Sequence, residues 1–448
     1  MTTRFGDTVA IAHHAAIVLV GQLAVMAFGV TDTVVASRHS EHALAALSVG
    51  TAIYISVYVG LMGMLQALLP IWAELHGGRR AAQVGASFRQ ALYVCAATIV
   101  VGMAILFAPD PILKAAAIPP ALEGDVREYL KVLAWALPPA LLFRLYSTLS
   151  QSIGLPRLVT ALQLVALLPK IGLSIWFTFG GAGIAPQGVA GCAWATLVVN
   201  YGLLCLSAWL LRSQGLYAAY DIWRRIEPPN WPQIARFLRL GVPAGLAVMV
   251  EVTSFTLMAL FVARLGTLAA ASHQIAANLA AVLYMMPLAI GIATSARVSY
   301  WLGGGRADHA RRATGVGLLM TALLAVLMSA ALIALQVPLI RAYAKEPALQ
   351  MAAGALMTWV ALYHLGDAIQ AVSLFVLRSY GITVVPLLAY CVVLWGVGLT
   401  GGYWLAFHGL WDWPAHPSPS AFWIASSAAL ATVSVLFLIL LASVTKRR

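Results

Sequence analysis

What most constrains this chain is a series of long apolar segments, each about twenty residues or more, repeated along its whole length. A helix rises about 1.5 Å per residue, so about 20 apolar residues cross the ~30 Å hydrocarbon core of a bilayer. The segments fall at residues 9–36, 44–72, 88–108, 129–150, 156–179 and 187–211. After a more polar stretch they resume at 235–262, 268–300, 313–340, 349–377, 382–407 and 420–444. Backbone in lipid finds no water, so only helices or closed barrels cross, and these segments are far too long for barrel strands. Composition agrees, with 62% hydrophobic and 9% charged residues against about 25% charged in soluble domains. The chain reads as an all-α integral membrane protein of twelve transmembrane helices.

The first apolar run continues to Ala36 without a small-residue cleavage site. It is too long for a signal-peptide core and reads as the first spanning helix. Cys95, Cys192, Cys205 and Cys391 all sit in apolar runs; their spacing suits neither a metal site nor a secreted disulfide framework. They are expected to be small buried hydrophobes.

The net charge is +12, and its distribution carries the information. One set of loops holds Arg79, Arg80, Arg89, Arg157, Arg212, Arg224, Arg225, Arg236, Arg239, Arg306, Arg311, Arg312 and Arg378, and the tail adds Lys446, Arg447 and Arg448. The opposite loops hold few basic residues, chiefly Arg38, Lys114, Arg127, Arg264, Arg341 and Lys345. By the positive-inside rule both termini are cytoplasmic, with the chain in the cell's inner (plasma) membrane. The basic residues then act as topology determinants that also touch anionic lipid headgroups, and no nucleic-acid partner is implied.

Four short runs recur in order at about 223 to 227 residues' spacing. LAVM at Leu23–Met26 returns at Leu246–Met249, and LAAL from Leu44 returns as LAAA from Leu268. LHGGRR from Leu75 matches LGGGRA from Leu302, and SIGLP from Ser152 matches SYGIT from Ser379. The chain is therefore two six-helix lobes, 1–211 and 235–448, joined by a cytoplasmic linker at 212–234. Because six is even, both lobes start on the same side of the membrane, as in transporters built from parallel repeats.

Carboxylates inside the spans are few: Asp32, Glu251 and Asp367. Glu251 has about a dozen uncharged residues on either side. A carboxylate at that depth is costly unless it meets a cavity, a partner or a bound cation; a protonated, hydrogen-bonded glutamate is the plainer alternative. Tyr363 lies one helical turn before Asp367, on the same helix face. Hard oxygens from Glu251, Asp367 and Tyr363 suit sodium or a shared proton better than a transition metal. No HExxH, DxxD or GxSxG run is present, so the residues do not point to a membrane enzyme.

Weaker candidates follow. Gln274 and Asn278 share a face early in the eighth span and suit either a substrate cavity or helix–helix hydrogen bonding. Tyr284, Met285 and Met286 make an adaptable apolar stretch of the kind found in promiscuous sites, with plain packing as the alternative. His13 and His14 read as interfacial, as do the aromatic residues of Trp404–Trp413. Pro138, Pro139, Pro243 and Pro287 are candidate kinks or hinges.

Taken together, these residues resemble the multidrug and toxic compound extrusion (MATE) family, in particular its NorM-type branch. The resemblance spans essentially the whole chain. It rests on VTDTVVAS followed by LAAL, on GLMGMLQALLPIWAELHGGRR, and on ASHQIAANLAAVLYMMPLAIGIATSARVSYWLGGG. DAIQAVSLFVLRSYG and WGVGLTGGYWLA extend it through the tenth and eleventh spans. It implies a V-shaped pair of lobes that alternate between outward-open and inward-open forms. It also implies export of cationic or amphipathic small molecules in exchange for Na+ or H+, with no cofactor. Asp32, Glu251, Asp367 and Tyr363 match positions implicated in cation binding, with Na+ a candidate at Glu251, Asp367 and Tyr363. The chain is expected to act as a monomer. A lipid-linked sugar flippase of the same superfamily is the alternative, but only Lys170 and Arg144 are basic well inside a span.

Two departures from the family pattern stand out. Lys170 and Ser174 occupy fifth-span positions where relatives usually carry asparagines. A lysine there is expensive, which suggests that Lys170 pairs with Asp32; snorkelling to a polar boundary is the alternative. LRSYGIT also lacks the Lys-Asp pair that often follows LRG in relatives.

Overall fold

A computed structural model of the chain describes residues 4–115, 119–181, 183, 185–409 and 414–447. Trp411 and Trp413 of the proposed interface belt, and Arg448 of the basic tail, lie outside the described residues. Among the described residues, twelve helices are long and apolar enough to cross a membrane.

In order these are α1 (Arg4–His39), α2 (Glu41–Gln66) continued by α3 (Leu69–Gly77), α4 (Ala81–Phe107), α6 (Pro120–Ser152), α7 (Pro156–Phe179) and α8 (Val189–Ser213). A short helix α5 (Asp110–Ala115) precedes α6. The second series is α9 (Trp231–Ala263), α10 (Thr267–Gly303), α11 (Ala307–Ala334) with the short α12 (Gln336–Tyr343), and α13 (Pro347–Ser379). It ends with α14 (Val384–Ala389), wide π turns over Tyr390–Thr400, α15 (Gly401–Phe407) and α16 (Pro419–Arg447). The eleventh span is thus not a plain α-helix. Its π turns carry Gly396 and Gly398, which lack the side chains that would fill a widened turn. Such turns recur at functional sites, and this one starts at Tyr390, a residue of the site described below.

The chain packs as two compact units. One is Val20–Gly245; the other joins the residues up to Leu19 to Leu246–Arg448. We call them the N-terminal and C-terminal units. Their limits fall inside α1 and α9, not in the linker that separates the sequence repeats. Apolar packing explains this: Ile11 and Ala15 are buried in a core with Val250, Ile290 and Phe437, whereas Ile234 and Phe237 are buried in the core of the N-terminal unit.

Each unit is built around one post. In α6 83% of the spanning window is buried, and in α13 78%, while no other span exceeds 56%. Both are the fourth helix of their repeat, so the post is a property of the duplicated sequence. Pro138 and Pro139 lie inside α6, Pro243 inside α9 and Pro287 inside α10. Close approach onto α13 requires small residues: a Cβ on Gly291 of α10 would stand 2.7 Å from the Phe375 ring.

Several charges expected in loops are interior instead. Arg89 is buried and gives its guanidinium to Glu227, with Nε 2.7 Å from Oε2. Gln90 donates to the Pro228 carbonyl at 3.0 Å and accepts from the Asn230 N–H at 2.8 Å, while Tyr93 donates to the Glu227 carbonyl at 2.9 Å. Tyr217, in the 3₁₀ turn Gly215–Tyr220, is buried and shares a 2.9 Å hydrogen bond with Ser150. The linker is therefore strapped onto α4 and α6. The Arg89 guanidinium holds the Glu227 carboxyl down at about 2.

Arg378 is likewise buried, in the last turn of α13. Asp7, not singled out by its sequence context, is buried and accepts from Arg297 Nε at 2.8 Å and from Trp301 Nε1 at 3.2 Å. This pair anchors the start of α1 to α10. Cys95 and Cys192 are buried, but Cys205 is exposed and Cys391 half-buried. Outward-facing positions of a membrane helix are themselves apolar, so apolar context does not distinguish core from periphery. His13 is exposed, whereas His14 turns its Nε2 inward.

Candidate cation-coupling sites

In the N-terminal unit, α1 delivers Asp32, α7 delivers Lys170 and Ser174, and α8 delivers Cys192 and Thr196. Lys170 is 1% exposed and Asp32 8%. Lys170 Nζ lies 2.6 Å from Asp32 Oδ1 and 2.8 Å from Oδ2. It also donates to Thr196 Oγ1 at 2.7 Å and to the Cys192 carbonyl at 3.2 Å. An ammonium has three donors, and here three partners take them. Ser174 Oγ adds a 3.0 Å hydrogen bond to Asp32 Oδ1.

Burying two charges costs several kcal/mol per ion, and only good geometry with satisfied hydrogen bonds offsets it; this pair meets both conditions. Close helix approach makes it feasible, because a Cβ on Gly191 of α8 would stand 2.5 Å from the backbone nitrogen of Thr178 in α7. Lys170 does not snorkel. Ser174 as a partner of Asp32, and Cys192 and Thr196 as partners of Lys170, were not legible, because only the packing of α1, α7 and α8 brings them together.

In the C-terminal unit, Glu251 comes from α9 and Asp367 from α13. They meet through Gln370, whose Nε2 donates to Glu251 Oε1 at 3.1 Å and to Asp367 Oδ1 at 3.1 Å. Tyr390, at the start of the π turns, donates its hydroxyl to Gln370 Oε1. Gln370 and Asp367 are both buried. One amide thus joins two carboxylates and a phenol from three elements. Gln370 stands three residues after Asp367, on the same helix face. That spacing was the one local signal that could have identified it.

Tyr363 shares a small cavity with Glu251. Its ring packs edge-on against Trp423 at 5.2 Å and against Phe255 at 6.1 Å. A cavity of about 20 Å³ is lined by Glu251, Ser254, Phe255, Tyr363 and Ser426, among others. A space of that order holds about one water-sized occupant, so it suits a single ion and not an organic substrate. Asp367 does not line it; its link to Glu251 runs through Gln370.

The weaker candidates separate. Gln274 and Asn278 bond each other along α10 at 3.1 Å, within one helix and not between helices. Met286 is buried in the core with Val250 and Ile290, a packing position and not an open substrate wall. Tyr284 is partly exposed on α10.

Comparison with known proteins agrees with this architecture. The MatE family model matches residues 18–176 and 243–404. A "Probable multidrug resistance protein NorM" of Aromatoleum aromaticum is 36% identical, covering 97% of this chain and 94% of that protein. The "Multidrug resistance protein PmpM" of Pseudomonas aeruginosa is 31% identical, covering 97% of this chain and 91% of that protein. Among solved structures, a eukaryotic MATE transporter (AtDTX14) superposes with a TM-score of 0.87 at 17% identity, covering 98% of this chain and 96% of that one. The Vibrio cholerae MATE transporter VcmN in its bent form does so at 0.84 and 15%, covering 100% and 99%. The chain is a multi-pass membrane protein that belongs to the MatE family, the multidrug and toxic compound extrusion transporters, in its NorM-type branch.

Proposed function

We propose that this chain acts as a single-chain antiporter of the inner membrane, with both termini cytoplasmic. In this reading it exports cationic and amphipathic organic compounds in exchange for Na+ or H+. The relatives' names supply the export of drugs; the coupling rests on Glu251. One observation carries it: a two-carboxylate cluster, joined by Gln370 and bordered by an ion-sized cavity that Tyr363 helps to line.

A cation entering this site neutralises carboxylate charge and so favours the conformation that holds it best. Substrate favours the other conformation. Exchange then requires only that ion and substrate have different affinities for the two states. The Asp32–Lys170 pair plays a different part in this scheme. Its carboxylate already carries a tethered cation, so the N-terminal unit needs no exchangeable ion there.

The test is uptake of a fluorescent cationic dye into proteoliposomes under an imposed Na+ or pH gradient, for wild type and Glu251→Gln. Dye movement driven by either gradient and abolished by the substitution supports the reading and identifies the ion. Dye movement in neither gradient, with lipid-linked substrates crossing instead, would favour the flippase.

A further inference from the structure

The linker strapped onto α4 and α6 also walls a cavity of about 540 Å³. Its lining runs from the last turn of α8 through the 3₁₀ turn Gly215–Tyr220 to Arg224. That volume falls within the ~300–1,000 Å³ of small-molecule sites, whereas the space beside Glu251 holds one ion.

Two arginines line this cavity, Arg212 from α8 and Arg224 from the linker. Both are exposed, and neither forms a salt bridge among the described residues. Glu227, the acid within electrostatic reach of Arg224, is already held by Arg89. Asp221 lines the cavity too, which leaves one net positive charge in its walls. The Arg212 guanidinium lies 5.9 Å from the centre of the Trp223 ring. A favourable helix-end charge and that ring account for Arg212. They do not account for a second guanidinium turned into the same space.

The strap holds this arrangement in shape. The Asp221 carbonyl accepts from Arg89 Nη1 and from the Arg224 N–H, the latter at 3.3 Å. Asp221 itself is left-handed, with φ 49°, a conformation that aspartate adopts more readily than most residues. One fixed carbonyl thus ties the turn that carries Arg224 to the buried Arg89.

The surroundings indicate the occupant. Leu216, Trp223, Ile226 and Trp231 are each more than half exposed along the linker. Indole and aliphatic side chains beside arginines, at the end of a span, are the composition of a membrane–water interface. A guanidinium fork matches phosphate oxygens. A soluble anion would meet the arginines and leave these apolar groups in water. A phospholipid would seat its phosphate on the arginines and lay its chains along the apolar groups.

We propose that Arg212 and Arg224 form a binding site for the phosphate headgroup of an anionic phospholipid, seated between the end of α8 and the linker. The site lies wholly within the N-terminal unit and does not depend on which ion drives transport.

The test is hydrogen exchange of residues 211–224 in the full-length protein. It is held in nanodiscs of phosphatidylcholine alone or with increasing phosphatidylglycerol; the first lipid carries the phosphate but no net charge. Phosphatidylglycerol should slow exchange in wild type. Arg212→Gln and Arg224→Gln should each raise the fraction needed for half-maximal protection about fivefold, the equivalent of about 1 kcal/mol per arginine near a lipid surface. The two together should abolish the protection, with exchange in phosphatidylcholine alone unchanged, since neither side chain is buried or ion-paired. Arg306→Gln with Arg312→Gln, two exposed arginines outside the cavity, should keep it.

No slowing by phosphatidylglycerol in wild type overturns the proposal. An equal loss in Arg306→Gln with Arg312→Gln also does, because it marks diffuse surface charge and not a site. Full protection by glycerol phosphate added to phosphatidylcholine nanodiscs would overturn it as well, assigning the cavity to a soluble phosphate.

Discussion

Lys170 Nζ stands 2.6 Å from Asp32 Oδ1 with its other donors satisfied by Thr196 and Cys192, so a buried carboxylate and its counter-ion form one closed unit. The two halves of a duplicated chain thereby handle intramembrane charge in opposite ways. One ties its acid to a lysine; the other clusters two acids around a glutamine and leaves a cavity beside them.

The closed pair makes a stability prediction. Lys170→Met leaves Asp32 buried and unpaired, which costs about 3–5 kcal/mol. Adding Asp32→Asn to Lys170→Met removes the stranded charge and should recover most of that loss. Thermal unfolding of the purified protein in detergent checks both. If Lys170→Ala leaves transport and its pH dependence unchanged, the pair has no part in coupling.

Gln370 makes a second prediction. Gln370→Leu preserves size but deletes the amide that joins Glu251, Asp367 and Tyr390. The ion concentration that half-saturates dye transport should rise about tenfold or more, the equivalent of one lost hydrogen bond to a charged group. A shift in maximal rate alone, with half-saturation unmoved, would show that the amide does not hold the carboxylates for the ion.

The linker strap carries a pH dependence outside the membrane. Arg89 lowers the Glu227 carboxyl from about 4.5 when free to about 2 in the fold. A depressed carboxyl contributes stability that is present above its unfolded value and is lost as pH falls through the folded one. The difference in unfolding temperature between wild type and Glu227→Gln should therefore be full at pH 7, shrink below about pH 4.5 and vanish near pH 2. A difference that stays constant over that range would remove the ion pair as its source.

The anchor of α1 is the fourth case. Asp7 is buried against Arg297 and Trp301, so Arg297→Met strands an acid at a cost of about 3–5 kcal/mol. Hydrogen exchange of residues 6–19 should accelerate in that variant, while exchange in α7 and α8 stays unchanged. Equal acceleration in residues 6–19 and in α7 and α8 would mean general unfolding and not release of an anchor.

Part of this was readable along the chain because it depends on local composition. Segment length and apolarity gave the helices, the 223 to 227 residue recurrence gave the repeat, and the depth of Asp32, Glu251 and Asp367 marked them as exceptional. Lys170 was conspicuous for the same reason, since a lysine in an apolar span requires an explanation from a single position.

The tertiary structure alone decided the partners. Gln370 looks like any polar residue of α13 until α9 and the π turns bring Glu251 and Tyr390 to it. Arg89 and Arg378 look like loop charges in a row of loop charges, yet one clamps the linker and the other is buried over the Phe375 ring. Positive-inside counting weighs charge near segment ends and is blind to which way a side chain turns. Where the compact units divide, within α1 and α9, was equally hidden, because it follows from which core receives Ile11, Ala15, Ile234 and Phe237. An apolar residue in a membrane helix looks the same in sequence whether it faces protein or lipid, so only packing between distant segments separates the two.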